Sequence, residues 1–202
     1  MGLFGTCLPT IIFFFIWLVF SIWYFYRIKK KAEIGKGLWR SFAERYGLIY
    51  EDLGIFPRIY GNYQGYNIDA RIEIHASRGS RERVSYYKRT LIDVECKNPG
   101  GLSMLIMERG FLDKSPIKTD NLEFDRKFTI WRYDDDEIKN EKIRRIFSDV
   151  IIQEKLILMK KFHLYIKENR ASFWENVPIY DMEEFQRILD IMILIVKKVD
   201  MY

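Results

Sequence analysis

The sequence predicts an α+β protein in which an N-terminal transmembrane helix precedes one domain, an antiparallel β-meander sheet packed by about three helices. Three observations lead to this prediction. The first 26 residues contain no charged side chain. Residues 48–108 alternate between apolar and polar side chains, and turn residues divide the stretch into strand-sized pieces. Segments on both sides of that stretch have apolar residues at helical spacing instead.

The N-terminal apolar run is long enough to span a bilayer. A helix over residues 3–26 rises about 1.5 Å per residue, against about 30 Å of hydrocarbon. The run lacks the preceding basic residues and the following small-x-small site of a secretory signal. We therefore predict that residues 3–26 contact membrane lipids. Aromatic residues collect toward its end, as in an interfacial belt: Trp17, Trp23, Tyr24 and Tyr26.

Basic residues follow this run directly, and the positive-inside rule then gives the topology. We predict a single-pass protein of the cell membrane, with the N-terminus outside and the domain in the cytoplasm. The chain carries a net charge of +5, and residues 27–45 alone account for all of it. Because the remainder is neutral, nucleic acid is disfavoured as a partner. The residues predicted to flank the membrane are Arg27, Lys29, Lys30 and Lys31.

Lipid modification is an alternative use of the extreme N-terminus. Gly2 and Thr6 fit the N-myristoylation pattern, and Cys7 could be a second acylation site. Chance agreement is the simpler interpretation, because a spanning helix needs no additional anchor. The other cysteine, Cys96, is far from Cys7 in the predicted topology, so no disulfide framework is expected.

Residues 27–36 are predicted to form a basic juxtamembrane link, whose part 32–36 is polar. Residues 37–202 are predicted to form the cytoplasmic domain. The domain begins with a helix of about ten residues that Gly47 can terminate. Strands are then expected over four ranges, and the short connections imply that consecutive strands pair antiparallel. The predicted strands cover 58–63, 66–76, 85–96 and 102–108.

The second half of the domain is predicted to contain a strand ending near Tyr133, two helices and a hairpin. Asp134 and Glu137 have the spacing of a capping box, which predicts a helix whose apolar face reaches Val150. A hairpin of two strands is expected over 156–159 and 162–167.

Asp181 and Glu184 repeat the capping-box spacing and predict a last helix that ends near Val199. This helix contains six consecutive apolar residues, 191–196. Burial between the sheet and another element is the favoured interpretation. An exposed patch for self-association or for a membrane partner is the alternative.

Residues 57–65 have the pattern P-x-I-x-G-x-x-x-G, and a Gly-Leu pair precedes them. These elements resemble the opening of a family of uncharacterised prokaryotic α+β domains that are often membrane-anchored. The resemblance covers roughly residues 38–199. Its motifs are structural, so it implies a fold and supplies no activity. The other matching residues are Gly47, Leu48 and Thr90, together with Phe124, Asp125 and Phe128 of an F-D-x-x-F element.

No motif for catalysis, phosphate binding or metal binding is present in the sequence. The two histidines, His75 and His163, have no second ligand at metal-binding spacing. The acidic run 134–137 lies at a predicted helix start, where carboxylates cap free N–H groups. Walker A, dinucleotide-binding and G-x-S-x-G patterns do not occur. We therefore predict no catalytic residue, no metal and no cofactor.

A basic hairpin is the surface that we single out for contact with an anionic partner. Its functional interpretations are lipid headgroups, RNA or an acidic protein. The competing interpretation is a solvated hairpin end that protects a sheet edge. The candidate contact residues are Arg71, Arg78, Arg81, Arg83, Lys88 and Arg89.

These features predict an interaction module held at the membrane, which binds an unidentified protein, a lipid surface or another copy of itself. The alternative is a membrane-tethered enzyme whose site is assembled only in three dimensions. A cleft lined by His75, His163, Asp125 or Glu95 would favour the enzyme.

Overall fold

In the described part of the chain, eight antiparallel strands form one sheet, and the helices pack on one of its faces. The computed structural model describes residues 7–54, 56–78, 84–109, 117–133 and 136–202. The α+β prediction is confirmed. The helices are α1 (Cys7–Tyr46), α2 (Leu122–Lys127), α3 (Glu137–Phe147), α4 (Val150–Ile157) and α5 (Met182–Val199). The strands are β1 (Ile49–Leu53), β2 (Phe56–Tyr63), β3 (Tyr66–Arg78), β4 (Val84–Glu95), β5 (Met104–Glu108), β6 (Phe128–Arg132), β7 (Leu164–Lys167) and β8 (Arg170–Glu175).

Strand order departs from the predicted simple meander after β4. The sheet runs β1-β2-β3-β4-β8-β7-β5-β6, so the hairpin β7–β8 lies between β4 and β5. The side chain of Asn98 holds this crossover. Its amide nitrogen donates to Leu102 O at 2.9 Å and to Glu168 O at 2.7 Å, and its oxygen accepts from Leu102 N at 2.8 Å. The chain leaving β4 is therefore tied to the β7–β8 turn before it enters β5.

Helix α1 continues without a break through the residues predicted to form a link. The segment 27–36 contains four lysines, which favour helix, and it contains no proline. The helix ends where the sequence predicts, at Gly47, whose φ is +66°. Leu48 N donates to Ala43 O at 2.8 Å, as in a Schellman motif.

The predicted hairpin over 156–159 and 162–167 is wrong in its first half. Asp149 begins a separate helix, α4, by accepting from the backbone N–H groups of Ile151 and Ile152. Ile152 and Leu156 then bury one face of α4. The hairpin consists instead of β7 and β8, which the turn at Glu168 joins with φ +54°.

Helix caps agree with the prediction for α5 and differ for α3. Asp181 caps α5. Every residue of the run 191–196 is buried except half-buried Leu194, so the predicted burial of this run is confirmed. Asp136 caps α3, because its carboxylate accepts from the N–H groups two and three residues later. Asp134, the predicted cap, lies outside the described residues.

Among the helices of the described residues, α1 alone is long and apolar enough to cross a membrane. Its most apolar window is not buried against the rest of the protein. The C-terminal quarter of the same helix is different, because Trp39, Phe42 and Ala43 are buried in the core. One helix thus joins an exposed apolar segment to the interior of the domain.

Candidate functional site

The junction between α1 and the domain is built around Trp39. Its side chain is fully buried, and its ring lies 5.0 Å from that of Phe185 on α5. The indole Nε1 donates to Ile179 O at 2.9 Å. Phe42, one turn further along α1, meets Phe185 edge-on at 4.9 Å. Aromatic packing and one buried hydrogen bond therefore fix the helix on the segment between β8 and α5.

Thr90 on β4 holds that segment in place. Its hydroxyl accepts from Ile179 N at 2.8 Å and donates to Val177 O at 3.0 Å. Thr90 is fully buried, so these two bonds satisfy both functions of its hydroxyl group. The threonine that the family resemblance singled out thus links the sheet, through Ile179, to Trp39.

Further contacts extend the junction toward the N-terminal end of α1. At Gly35 an added Cβ would clash with Cε1 of Tyr180, so the ring packs directly on the helix backbone. Lys36 Nζ donates to Asp52 at 3.2 Å, and this hydrogen bond raises the pKa of Lys36. The Arg40 guanidinium lies 4.9 Å from the ring centre of Tyr50. The ring of Tyr46 lies 5.2 Å from that of Tyr63 on β2, so contacts between α1 and the domain extend from Tyr46 back to Gly35.

The sheet face opposite the core carries a network of paired charges. Arg58 binds Asp69 through two hydrogen bonds of 3.0 and 2.8 Å. Burial raises the pKa of Asp69, but the Arg58 hydrogen bond and the charge of Arg71 together bring it below its usual value. Arg71 also lies 3.2 Å from Asp93. These groups line a surface depression of about 440 Å³ that also contains Asn67, Glu95 and Arg170.

Two of the six candidate anion-contact residues belong to this network. Arg71 lies 3.4 Å from Glu73, and Arg89 donates to the same carboxylate at 2.6 Å. Lys88 lies over the ring of Phe56 at 5.4 Å. The backbone of Arg78 ends β3, and Arg81 and Arg83 lie outside the described residues. The strand register therefore places Arg71 and Arg89 within the sheet, several residues away from the hairpin end.

The predicted membrane-flanking residues lie along the exposed surface of α1. Arg27, Lys29, Lys30 and Lys31 are all exposed. The guanidinium of Arg27 lies 5.3 Å from the ring centre of Trp23. The basic cluster and the preceding aromatic residues are thus adjacent on one helix.

The polar residues that would have favoured an enzyme have separate partners. His75 lies 5.3 Å from the Tyr87 ring, and His163 stacks on Trp174 at 5.6 Å. Glu95 accepts from Asn67 at 2.9 Å. Within the described ranges, no three His, Cys, Asp or Glu side chains lie close enough together to hold a metal ion.

Asp125 organises a buried polar network next to α2. Its carboxylate accepts from Thr119 N at 3.1 Å and from the Thr119 hydroxyl at 3.0 Å. Gln153 on α4 donates to Thr119 Oγ1 at 3.3 Å and to Phe147 O at 2.6 Å. The F-D-x-x-F element therefore has a structural role that ties the segment before α2 to α4. Sequence reasoning missed Thr119 and Gln153, because only the fold brings them together.

His163 is expected to make stability depend on pH. Burial lowers its pKa below 6.5 despite the opposing charge of Glu108. A histidine whose pKa is lower in the folded than in the unfolded protein contributes its full stabilisation at pH values above the pKa of the unfolded chain. That contribution is lost as the pH falls toward the pKa of the folded protein. We expect the melting temperature to fall less between about pH 7.5 and about pH 5.5 in His163→Gln than in the unmodified chain. His75→Gln, which retains His163, is the matched control. Equal decreases in all three proteins would contradict this assignment.

No protein-family model matches the sequence, and the comparisons with curated proteins and with solved structures found no significant match.

Proposed function

We propose that this chain is a single-pass membrane protein whose helix α1 anchors a cytoplasmic interaction module. The proposed partners are a protein, a lipid surface or a second copy of the chain. The observation that carries the proposal is the continuity of α1, which extends from an exposed apolar segment into the domain core. Such a helix holds the domain close to the bilayer and limits its freedom to reorient.

The distribution of polarity along α1 supports the role of an anchor. Large side chains such as Phe13, Phe15 and Phe25 are each more than 60 % exposed. An apolar surface of this extent is costly in water, whereas in a bilayer it matches the hydrocarbon. The basic residues 27–31 begin where that surface ends, at the position expected for anionic headgroups on the cytoplasmic side.

The sheet face opposite the core, which we call the open sheet face, supports the role of an interaction module. Its charged residues are already paired with each other, as in Arg58 with Asp69 and Arg89 with Glu73. A partner that docks there meets charges whose positions are fixed by their own ion pairs. Such a surface favours a partner with a complementary charge pattern and does not favour tight binding of a single small anion.

Membrane extraction and N-terminal mass analysis test the anchor. We expect the full-length chain to remain in the membrane fraction after alkaline carbonate treatment and to retain residues 1–26. Release into the soluble fraction, or a mature N-terminus beyond residue 26, would show a cleaved signal sequence and overturn the proposal.

Cysteine accessibility tests the orientation. We expect Ser80→Cys, in the hairpin end of a chain that also carries Cys7→Ser, to react with a membrane-impermeant thiol reagent only after the cells are opened. A reaction in intact cells would place the domain outside and contradict a cytoplasmic module. Cys96 is buried and serves as an internal control that should not react in the folded protein.

A further inference from the structure

We infer that the hairpin formed by β3 and β4 contacts anionic lipid headgroups beside α1, as a second membrane contact of the domain. This inference rests on the proposed anchor and names the lipid surface as the partner of the hairpin. It follows from the strand register, from the direction of α1 and from the composition of the hairpin.

The hairpin projects beyond the neighbouring strands. Arg58, two residues into β2, pairs with Arg71 of β3. The pairing of β3 with β4 continues seven residues further, to Arg78 opposite Val84. About five residues of each hairpin strand therefore extend past the β1–β2 turn. At about 3.3 Å per residue this extension is about 16 Å long.

The projection points toward the apolar end of α1. Lys36 contacts Asp52, and Arg40 contacts Tyr50, so α1 and β1 run in opposite directions. Four helical residues rise about 6 Å and two strand residues about 6.6 Å, so the two contacts are similarly spaced along α1 and along β1. Because β1, β2 and β3 alternate in direction, the C-terminal end of β3 lies at the same end of the sheet as Asp52.

The length of the projection matches the distance to the membrane-flanking cluster. Lys36 lies at the level of the β1–β2 turn, and Arg27 is nine residues earlier on α1, about 14 Å along the helix axis. The hairpin extends about 16 Å from the same level, about 10 Å to the side of β1. The hairpin and α1 therefore extend by similar lengths beyond the level of the β1–β2 turn.

The composition of the projection suits an anionic interface. Residues 74–88 contain four basic side chains and one acidic side chain, Glu82. Ile74 is 57 % exposed and Tyr86 is 72 % exposed, on the same sheet face as each other. Tyrosine and basic residues beside an exposed aliphatic side chain are typical of the headgroup region. Lipid headgroups therefore explain the exposed aliphatic side chain of Ile74 as well as the charge, which an RNA partner does not.

Headgroup quenching tests this contact in the full-length chain reconstituted into nanodiscs. A fluorophore is attached at Tyr86→Cys, or at Asn169→Cys on the opposite end of the domain, in a chain that also carries Cys7→Ser. We expect headgroup-labelled lipid to quench the label at position 86 and not at position 169. Quenching should be stronger with phosphatidylserine than with phosphatidylcholine alone, and salt should weaken it.

Charge reversal separates specific contact from net charge. Arg78→Glu, Arg81→Glu and Arg83→Glu together should remove the effect of phosphatidylserine, since each basic residue near the surface changes occupancy about fivefold. The triple variant Lys97→Glu, Lys167→Glu and Arg170→Glu makes the same change of charge at the far end and should leave quenching unchanged.

The two proposals fail in different ways. Equal quenching at positions 86 and 169, equal effects of the two triple variants, or protection of position 86 by RNA rather than lipid would overturn the hairpin contact. A chain that does not incorporate into nanodiscs, or that incorporates equally well after deletion of residues 1–26, would overturn the anchor. A chain that incorporates through residues 1–26 without quenching at position 86 retains the anchor and refutes the hairpin contact.

Discussion

Trp39→Ala is expected to lower the free energy of unfolding of the domain by about 3–5 kcal/mol. Trp39 is fully buried against Phe185, and its removal leaves a large cavity where α1 enters the core. It also leaves Ile179 O without the indole donor. Because α1 carries the apolar segment, the same substitution should loosen the connection between that segment and the domain. Denaturation of the full chain in detergent micelles, followed by circular dichroism, measures the first effect.

Two further substitutions identify the cause of that loss. Trp39→Phe retains much of the packing and removes only the N–H donor and part of the ring, so we expect a smaller loss, of about 1–3 kcal/mol. Trp23→Ala changes the same residue type on the same helix at a side chain that is half exposed, and it should leave the stability of the domain unchanged. A loss from Trp23→Ala as large as that from Trp39→Ala would contradict the role given to the junction.

Asp125→Ala is expected to destabilise the domain by about 3 kcal/mol, because it leaves the N–H and the hydroxyl of Thr119 without their acceptor. The loss should be local as well as global. Hydrogen exchange of the backbone at 117–127 should accelerate more than that of α5, because the Asp125 network ties this segment to α4 through Gln153.

Matched substitutions test whether the Asp125 carboxylate is responsible. Asp125→Asn keeps one acceptor oxygen, so about half of the loss is expected. Asp120→Ala removes an exposed carboxylate from the same segment and should be nearly neutral. If Asp120→Ala and Asp125→Ala destabilise the domain equally, the effect is due to charge in this region and the buried network is not its cause.

Features determined by local sequence could be predicted without the structure. The apolar spacing and capping residue of α5 lie within one segment, as do the alternating patterns of β2, β3 and β4. The end of α1 at Gly47 is equally local, because a positive φ favours glycine there.

Features determined by distant contacts could not be predicted in this way. Asn98 directs the crossover through bonds to Leu102 and to Glu168, which is 70 residues away in the sequence. This side chain helps to hold the order of the strands, and no local pattern reveals its bond to Glu168. Helix α4 was missed for a different reason, since Val150 continues the apolar spacing of α3 and obscures the second cap at Asp149.

The candidate anion-binding set illustrates the same distinction. Its six basic residues are close in sequence, but only the register shows that Arg71 and Arg89 both face Glu73. These two side chains support the sheet, and the arginines of the hairpin end remain as candidates for contact with a partner.

The continuity of α1 has a geometric consequence for any partner that lies in the membrane. A helix advances about 100° per residue, and Trp39 fixes the domain to one azimuth of that helix. Each residue inserted between Arg27 and Gly35 would turn the domain by about 100° about the axis of α1 and shift it along that axis by only about 1.5 Å. The number of residues in this short stretch therefore sets the direction in which the open sheet face points around the axis of α1, while its distance from the apolar segment changes little.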